Sequence, residues 1–431
     1  QAIAGHLTTV EKTLLLTDAP EKTAELPNLV GEYETLLAAA GPQYAFEDFD
    51  ENSVATTFYT TGTTGNPKGV YFTHRQLVLH TLGVSTIMGA IDSVRLLGTN
   101  DVYMPITPMF HVHAWGLPYV ATMLGLKQVY PGRYDPEYLV ELWRREKVTF
   151  SHCVPTILQM VLNAKAAQGT DFGGWKIVIG GSALNRALYE AAKAKGIQLT
   201  AAYGMSETGP LVSCAHLNDE LMAGSEDERT TYRIKAGVPG PLVEAAIIDA
   251  EGNFLPADGE AQGELVLRAP WLSEGYFNEP QKGAELWEGG WLHTGDVATL
   301  DSMGVIDIRD RIKDVIKTGG EWISSLDLED LISRHAAVRE VAVVGIADPQ
   351  WGERPFALLV IREGHEIGAR ELKEHLKPFV ELGHLSKWAI PSQIALVTEI
   401  PKTSVGKLDK KRIRVDISEW QASNSTFLST L

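Results

Sequence analysis

Only two cysteines, Cys153 and Cys214, occur in 431 residues. They cannot build a disulfide framework, and each reads as a buried, inert thiol of a reducing compartment. No apolar run approaches the roughly 20 residues of a bilayer-spanning helix, so no transmembrane segment is expected. Cationic residues are outnumbered: 38 Lys and Arg against 55 Asp and Glu leave a net charge of −17. Without a basic stripe to offset that charge, a general nucleic-acid partner is not expected, although a local cationic pocket stays open. Internal repeats and low-complexity tracts are missing as well. The chain opens on Gln1 rather than Met and shows no signal peptide, as in a fragment, a processed product or a chain with residues ahead of it. A hydrophobic content of 44% and a charged content of 22% suit a globular protein of two or three domains. A cytoplasmic location, with peripheral membrane contact left open, is the expectation.

The most informative stretch is Thr60-Thr61-Gly62-Thr63-Thr64-Gly65-Asn66-Pro67-Lys68-Gly69. Exposed backbone donors, hydroxyls and one cation are the chemistry that holds a polyphosphate. It is not the nucleoside-triphosphatase loop, because a GxxxxGK[ST] pattern begun at Gly62 meets Pro67 and Gly69 where glycine and a hydroxyl are needed. A plain flexible turn leaves the embedded lysine unexplained.

The order of elements favours an α/β sheet with covered faces. Early on, Leu14–Leu16 is a short apolar run, and residues 30–40 look helical. Residues 54–59 read as a strand delivering the Gly/Thr loop, and Thr73 as the cap of a helix over 77–88. A strand at 102–106 follows, then Asp135 capping a helix from Pro136 to about Glu146, and a strand at 148–151. A further strand at 176–179, a helix capped by Ser182 and reaching Lys195, and a strand at 198–201 repeat the pattern. Ligands of such sheets sit beyond strand C-termini, where both the Gly/Thr loop and Gly180-Gly181-Ser182 are expected. After about Lys235 short strands at 243–248, 263–268 and 305–308 suggest a small antiparallel unit. Past the charged run Asp310–Asp314, helices near 326–333 and 369–379 and strands at 341–344, 356–361 and 394–397 suggest a compact α+β domain.

Several residues carry two readings each. Glu207, in Tyr203-Gly204-Met205-Ser206-Glu207-Thr208-Gly209, offers the hard oxygen that Mg²⁺ prefers, or serves as a helix-start carboxylate. Tyr203 stacks on a base or faces the core. His111 and His113 lack a third ligand for a transition metal, so His111 reads as a pocket or core residue. Asp296, placed in a turn, accepts from a ribose diol or supports the turn. Arg311 is a donor or a surface charge. In residues 400–408, Lys407 neutralises an oxyanion beside Gly406, or belongs with Lys402, Lys410 and Lys411 to a solvated tail.

Taken together, residues 60–69, 203–209, 294–296, 310–314, 317–320 and 401–407 occur in the order found in the adenylate-forming superfamily, which this chain resembles as far as about Arg414. That superfamily comprises acyl-CoA synthetases, firefly-type luciferases and peptide-synthetase adenylation domains. Residues 320–325 and 108–115 look most like the medium- and long-chain fatty acyl-CoA synthetases. The resemblance implies a large domain of layered α/β sheets with a small antiparallel β unit (1–309), and a mobile C-terminal α+β domain (310–431) hinged at Asp310. The amino-terminal part of the family fold is expected to be absent, since relatives carry a further segment ahead of the position of Gln1.

Carried over residue by residue, the family pattern implies ATP, Mg²⁺ and the co-substrate CoA. Thr61, Gly62, Thr63, Thr64, Gly65 and Lys68 fall on the phosphate loop, with Thr60 and Glu207 near Mg²⁺. Gly181, Ser182, Ala183 and Tyr203 surround adenine, with Gly204, Met205 and Ser206 in the same nucleotide-binding motif; Asp296 and Arg311 hold ribose. Lys407, with Thr60 and Glu207, is the expected catalytic set. Gly319, Gly320 and Glu321 face a thioester-forming site after domain rotation, His111 lines the acyl pocket, and Trp115 is its gate. The expected reaction is fatty acyl-CoA formation through an acyl-adenylate, with a homodimer as the expected assembly. A methylthiopropionate-type short-acid ligase, a carrier-protein acyl ligase and a noncatalytic interaction module are the alternatives.

Overall fold

The computed structural model describes residues 4–17, 19, 26–60, 67–91, 96–403, 406–422 and 428–430. Residues 1–50 and 51–431 form two units. In the first, strands Thr13–Leu15 and Leu29–Glu32 pair in parallel, and a helix spans Tyr33–Ala39. The helical reading of residues 30–40 is therefore corrected at its start. Glu32 stays extended because its carboxylate caps the helix, accepting from the N–H groups of Glu34 and Thr35.

The second unit is built around a seven-stranded sheet. Its order is Val238–Pro239, Leu211–Cys214, Gln198–Gly204, Lys176–Ile179, Phe150–Cys153, Val102–Pro105, Lys127–Gln128. The five strands from Gln198–Gly204 to Lys127–Gln128 run parallel; Leu211–Cys214 pairs antiparallel with Gln198–Gly204, and Val238–Pro239 pairs antiparallel with Leu211–Cys214. Alternation sets the two cores. Ile177 and Ile179 face the helices Pro136–Glu146, Pro155–Asn163 and Arg186–Ala194, while Val178 faces helices His74–Gly89 and Leu117–Met123. With both faces covered, Phe150–Cys153 is buried at every position.

Local chemistry sets the helix starts. Thr73 and Gln76 close a capping box at His74, and Asp135 accepts from the Tyr138 N–H ahead of Pro136. The cap expected at Ser182 belongs instead to Asn185, which accepts from the Leu188 N–H, so the helix begins at Arg186. Residues 180–184 are thereby left as loop at the C-terminal end of a central strand. A second expectation also changes. The strand Val54–Tyr59 lies outside the parallel sheet and pairs antiparallel with Gly69–Thr73, making the Gly/Thr segment a hairpin connection.

A four-stranded antiparallel sheet follows, in the order Glu244–Ile248, Gly263–Arg268, Leu292–Leu300, Ile306–Arg311. Beyond it, strands Val338–Asp348 and Gly352–Ile361 form a long hairpin, with Gln393–Leu396 parallel to the latter. Val341 and Val343 face one layer, Ala342 and Val344 the other. The helices Ser325–Ser333 and Ala369–Glu381 cover the first layer. Among the described residues no helix is long and apolar enough to cross a membrane.

Candidate functional site

A cavity of about 1400 Å³ opens where the C-terminal ends of the central parallel strands meet the end of the antiparallel sheet and residues 402–415. It gathers most of the residues singled out from the sequence: Thr60, Lys68, His111, Trp115, Gly181, Ser182, Ala183, Tyr203, Gly204, Met205, Ser206, Glu207, Asp296, Asp310, Arg311 and Lys407. Thr61, Gly62, Thr63, Thr64 and Gly65 lie outside the described residues. Gly319, Gly320 and Glu321 are not in its wall. Gly319 and Gly320 form the two-residue turn of a hairpin, both at positive φ (58° and 86°) as such a turn requires, and the Glu321 carboxylate accepts from the Ser386 hydroxyl.

The phosphate-type loop is closed at its base, where the Thr60 N–H donates to the Lys68 carbonyl at 2.9 Å. Across the cavity, the strand Gln198–Gly204 is longer than the sequence suggested and carries Tyr203 and Gly204 within it. The next turn, Ser206–Thr208, presents Glu207, whose Oε1 accepts from the Tyr276 hydroxyl at 2.7 Å. Burial, reinforced by Glu207, pushes the Tyr276 phenol far up, so it is a donor throughout the physiological range.

Asp296 sits inside the strand Leu292–Leu300 rather than in a turn; a register shift and Gly295 at φ 69° supply the irregularity that resembled one. It is cross-strand partner to Arg311, with Nε–Oδ1 at 3.4 Å, and its Oδ2 accepts from the Tyr203 hydroxyl at 2.7 Å. Burial raises its carboxyl pKa; Arg311, then the Tyr203 hydrogen bond, oppose that shift. The Tyr203 ring is thus fixed through its hydroxyl, and the carboxylate and guanidinium are held side by side at the cavity edge.

Lys407 reaches the same space from the far end of the chain. Its loop is fastened by the Thr403–Lys407 backbone pair and by the Thr156 hydroxyl donating to the Gly406 carbonyl at 2.7 Å. Gly181, at φ 76°, leaves room for it, since a Cβ there would meet Lys407 Cε at 3.0 Å. Burial, then repulsion from Arg311, lowers the ammonium pKa to about 8, while Asp296 and Glu207 work in the opposite direction. Of the open readings, the solvated tail is excluded for Lys407. Lys402 and Lys410 are ion-paired with Glu340 and Glu329.

The two nearby histidines part company. His113 turns to the hairpin, bonded to Thr56 Oγ1 at 2.7 Å and packed on Phe58. His111 lines the cavity, its pKa lowered to about 4 by burial and then by Lys407. Between them and Gly116 the backbone runs left-handed, with φ near +50° to +70° from Val112 to Gly116. Non-glycine residues pay roughly 1–2 kcal/mol each for such a conformation. The turn seats Trp115 against Gly180 and tilts its ring over His152 at 5.0 Å. No local sequence signal announced this turn, and Tyr276 also went unremarked. The segment that carries it, Trp271-Leu272-Ser273-Glu274-Gly275-Tyr276, has neither a helical nor a strand period.

Among the described residues no cluster of three or more His, Cys, Asp or Glu is placed to hold a metal ion. Glu207 and Thr60 offer one carboxylate and one hydroxyl to the same cavity. Both donors are hard oxygens of the type Mg²⁺ takes.

Comparison with known proteins places the chain in a family. The family model for AMP-binding enzymes matches residues 2–277, and that for the AMP-binding enzyme C-terminal domain matches residues 327–407. The chain is 41% identical to a long-chain-fatty-acid–CoA ligase of Thermus thermophilus, over 96% of this chain and 74% of that one. It is 37% identical to a 3-methylmercaptopropionyl-CoA ligase of Ruegeria pomeroyi, over 96% of this chain and 75% of that one. The fold is similar to that of ATP-bound MatB from Rhodopseudomonas palustris, with a TM-score of 0.76 and 24% identity over 92% of this chain and 74% of that one.

Proposed function

We propose, from the premise that this chain belongs to the AMP-binding enzyme family within the adenylate-forming superfamily, that it is an ATP-dependent fatty acyl-CoA synthetase. The single observation that carries the reading is Lys407, delivered by its loop into a cavity already lined by Asp296, Arg311, Glu207 and Trp115. A fatty acid is already ionised at neutral pH, so its carboxylate attacks the α-phosphorus of ATP without a protein general base. Acyl-adenylate forms and pyrophosphate leaves. Lys407 neutralises charge on the reacting carboxylate and α-phosphate. His111, neutral at pH 7, lines the acyl pocket and has no proton to take in this step. Glu207 and Thr60 are the residues that would hold Mg²⁺, which would supply charge neutralisation for the polyphosphate.

In the second half-reaction the CoA thiolate attacks the acyl-adenylate carbonyl, the acyl–oxygen bond breaks and AMP leaves. Lys407 then stands where it is no longer needed. Rotation of residues 310–431 about Asp310 withdraws it and brings Gly319, Gly320 and Glu321 to the site. Gly181, Ser182, Ala183, Tyr203, Gly204, Met205 and Ser206 take the nucleotide, with Asp296 and Arg311 on its ribose. Trp115 gates an acyl tunnel. The medium- or long-chain acid is the first reading, and a short sulfur-containing acid the second, supported by the Ruegeria relative's name. Cytoplasmic placement, with peripheral membrane contact and a homodimer, completes the proposal.

The test is to incubate the protein with ATP, Mg²⁺, CoA and a panel of carboxylic acids and identify products by mass. Acyl-CoA with AMP is the expected outcome, and the panel ranks the acids. ADP in place of AMP, or no acid-dependent release of pyrophosphate, overturns the reading.

A further inference from the structure

The short segment Ser273–Phe277 is laced to both halves of the phosphate end of the cavity. On one side the Ser273 N–H donates to the Glu207 carbonyl at 2.8 Å. On the other, the Ser273 hydroxyl donates to the Tyr71 carbonyl at 3.1 Å, and the Phe277 N–H donates to the Gly69 carbonyl at 2.7 Å. Tyr276 itself bridges Val70, on the strand that leaves the Gly/Thr loop. The Trp287 indole N–H clamps the segment from behind through the Ser273 carbonyl at 2.9 Å.

The Tyr276 side chain uses that position twice. Its hydroxyl donates to Glu207 Oε1 at 2.7 Å, and the Lys68 ammonium lies over its ring at 4.4 Å from the centroid. The ring is buried, so its place is set by packing rather than by solvent. One side chain therefore sets the direction of the carboxylate and the height of the loop lysine together. We propose that Tyr276 is a positioning residue that holds the metal-binding carboxylate Glu207 in register with Lys68 of the phosphate loop. This rests on the reading of Glu207 as a Mg²⁺ ligand.

The mechanism is one of restricted freedom. A carboxylate that binds a hard cation with only part of its coordination shell gains from having its second oxygen tied down, since the rotamer is then chosen before the ion arrives. The cation–π contact does the same for Lys68, whose four-carbon stem is otherwise free to swing.

Two variants separate the roles. Tyr276→Phe keeps the ring under Lys68 and removes only the donor, whereas Tyr276→Leu removes both. The readouts are the thermal midpoint with ATP in EDTA against ATP with Mg²⁺, and the half-saturating Mg²⁺ and ATP concentrations in acid-dependent ATP–pyrophosphate exchange. For Tyr276→Phe we expect half-saturating Mg²⁺ to rise roughly tenfold, with the Mg²⁺-dependent part of the midpoint shift reduced. Its half-saturating ATP and its ligand-free midpoint stay near wild type. Tyr276→Leu additionally raises half-saturating ATP. Glu207→Gln serves as the reference and is expected to lose the Mg²⁺-dependent shift.

If Glu207→Gln loses that shift while Tyr276→Phe keeps the wild-type Mg²⁺ response, the positioning role is wrong and the reading of Glu207 stands. A Tyr276→Phe variant with a lowered ligand-free midpoint and an unchanged Mg²⁺ response marks a merely structural tyrosine and equally overturns the proposal. A wild-type Mg²⁺ response in Glu207→Gln overturns the ligand reading, and the proposal with it.

Discussion

Lys407 and Lys410 stand three residues apart in one cationic stretch and meet opposite surroundings. The Lys410 ammonium is paired with Glu329 at 2.9 Å and donates to the Ser325 hydroxyl at 2.5 Å. That pair is supported in turn, because Glu329 also accepts from the Val343 N–H, and Ser325 gives its own N–H to Asp310 at 2.6 Å. Lys407 is half-buried, yet among the described residues no carboxylate forms an ion pair with it, and after desolvation the like charge of Arg311 weighs most on its ammonium. Buried charge without a partner costs stability, and folds tolerate it where a ligand supplies the missing anion. One lysine is part of the architecture, and the other lines the cavity with no carboxylate paired to it among the described residues, as its proposed role in adenylation requires.

Exchanging each lysine for alanine tests the contrast most directly. Lys407→Ala is expected to slow acid-dependent adenylation by about 10²–10³-fold, the scale of losing one aimed charge at a transition state. It should spare thioester formation from supplied acyl-adenylate and should not lower the denaturation midpoint, since the charge removed is one that costs stability. Equal loss in both half-reactions breaks the assignment. Lys410→Ala is expected to act on stability instead, by about 3 kcal/mol in denaturant unfolding, because Glu329 keeps the Val343 N–H but loses its ammonium partner in a largely solvent-shielded place. An unchanged midpoint makes the two lysines equivalent and removes the contrast.

The pH profile sharpens the same point at smaller scale. Lys407 loses its proton as pH rises through about 8, so kcat/KM for adenylation is expected to be level below that pH and to fall above it. The slope approaches roughly tenfold per pH unit. The sign for stability is the reverse. With its folded pKa below the unfolded one, the group binds more protons when unfolded, and the cost of its charge disappears as pH rises through the window above about 8. Thioester formation from supplied adenylate is expected to lack the alkaline fall, and a shared fall would assign it to another group.

The smallest effect concerns the apolar wall. Each methylene buried by Trp115 contributes about 0.8 kcal/mol, close to fourfold in kcat/KM. Trp115→Ala is therefore expected to change the slope of activity against acyl chain length. An unaltered substrate series takes Trp115 out of the tunnel.

Much of the fold could be read locally. Asp135-Pro136 and Thr73 with Gln76 marked helix starts because capping needs only neighbours in the chain. The alternation of buried strands and helices likewise announced a covered parallel sheet. The misplacements share one cause. Ser182 and Asn185 are both good caps, and the choice between them depends on the loop that must stay open beneath Lys407. Asp296 resembled a turn residue because Gly295 precedes it, whereas pairing with Arg311 on the neighbouring strand keeps it extended. The hairpin that carries Thr60 and Lys68 looked like a strand of the main sheet, since β propensity does not name a partner.

The chemistry was written into the chain as residue types in a fixed order: hydroxyls and a lysine in a glycine-rich loop, a carboxylate after a strand, an arginine, and a distant lysine following glycine. Order along a chain survives without any knowledge of contacts. Which lysine is unpaired, which tyrosine steadies Glu207 and which way the two histidines face came from folding alone. Each depends on burial and on partners tens to hundreds of residues away, and neither quantity exists until the sheets have packed.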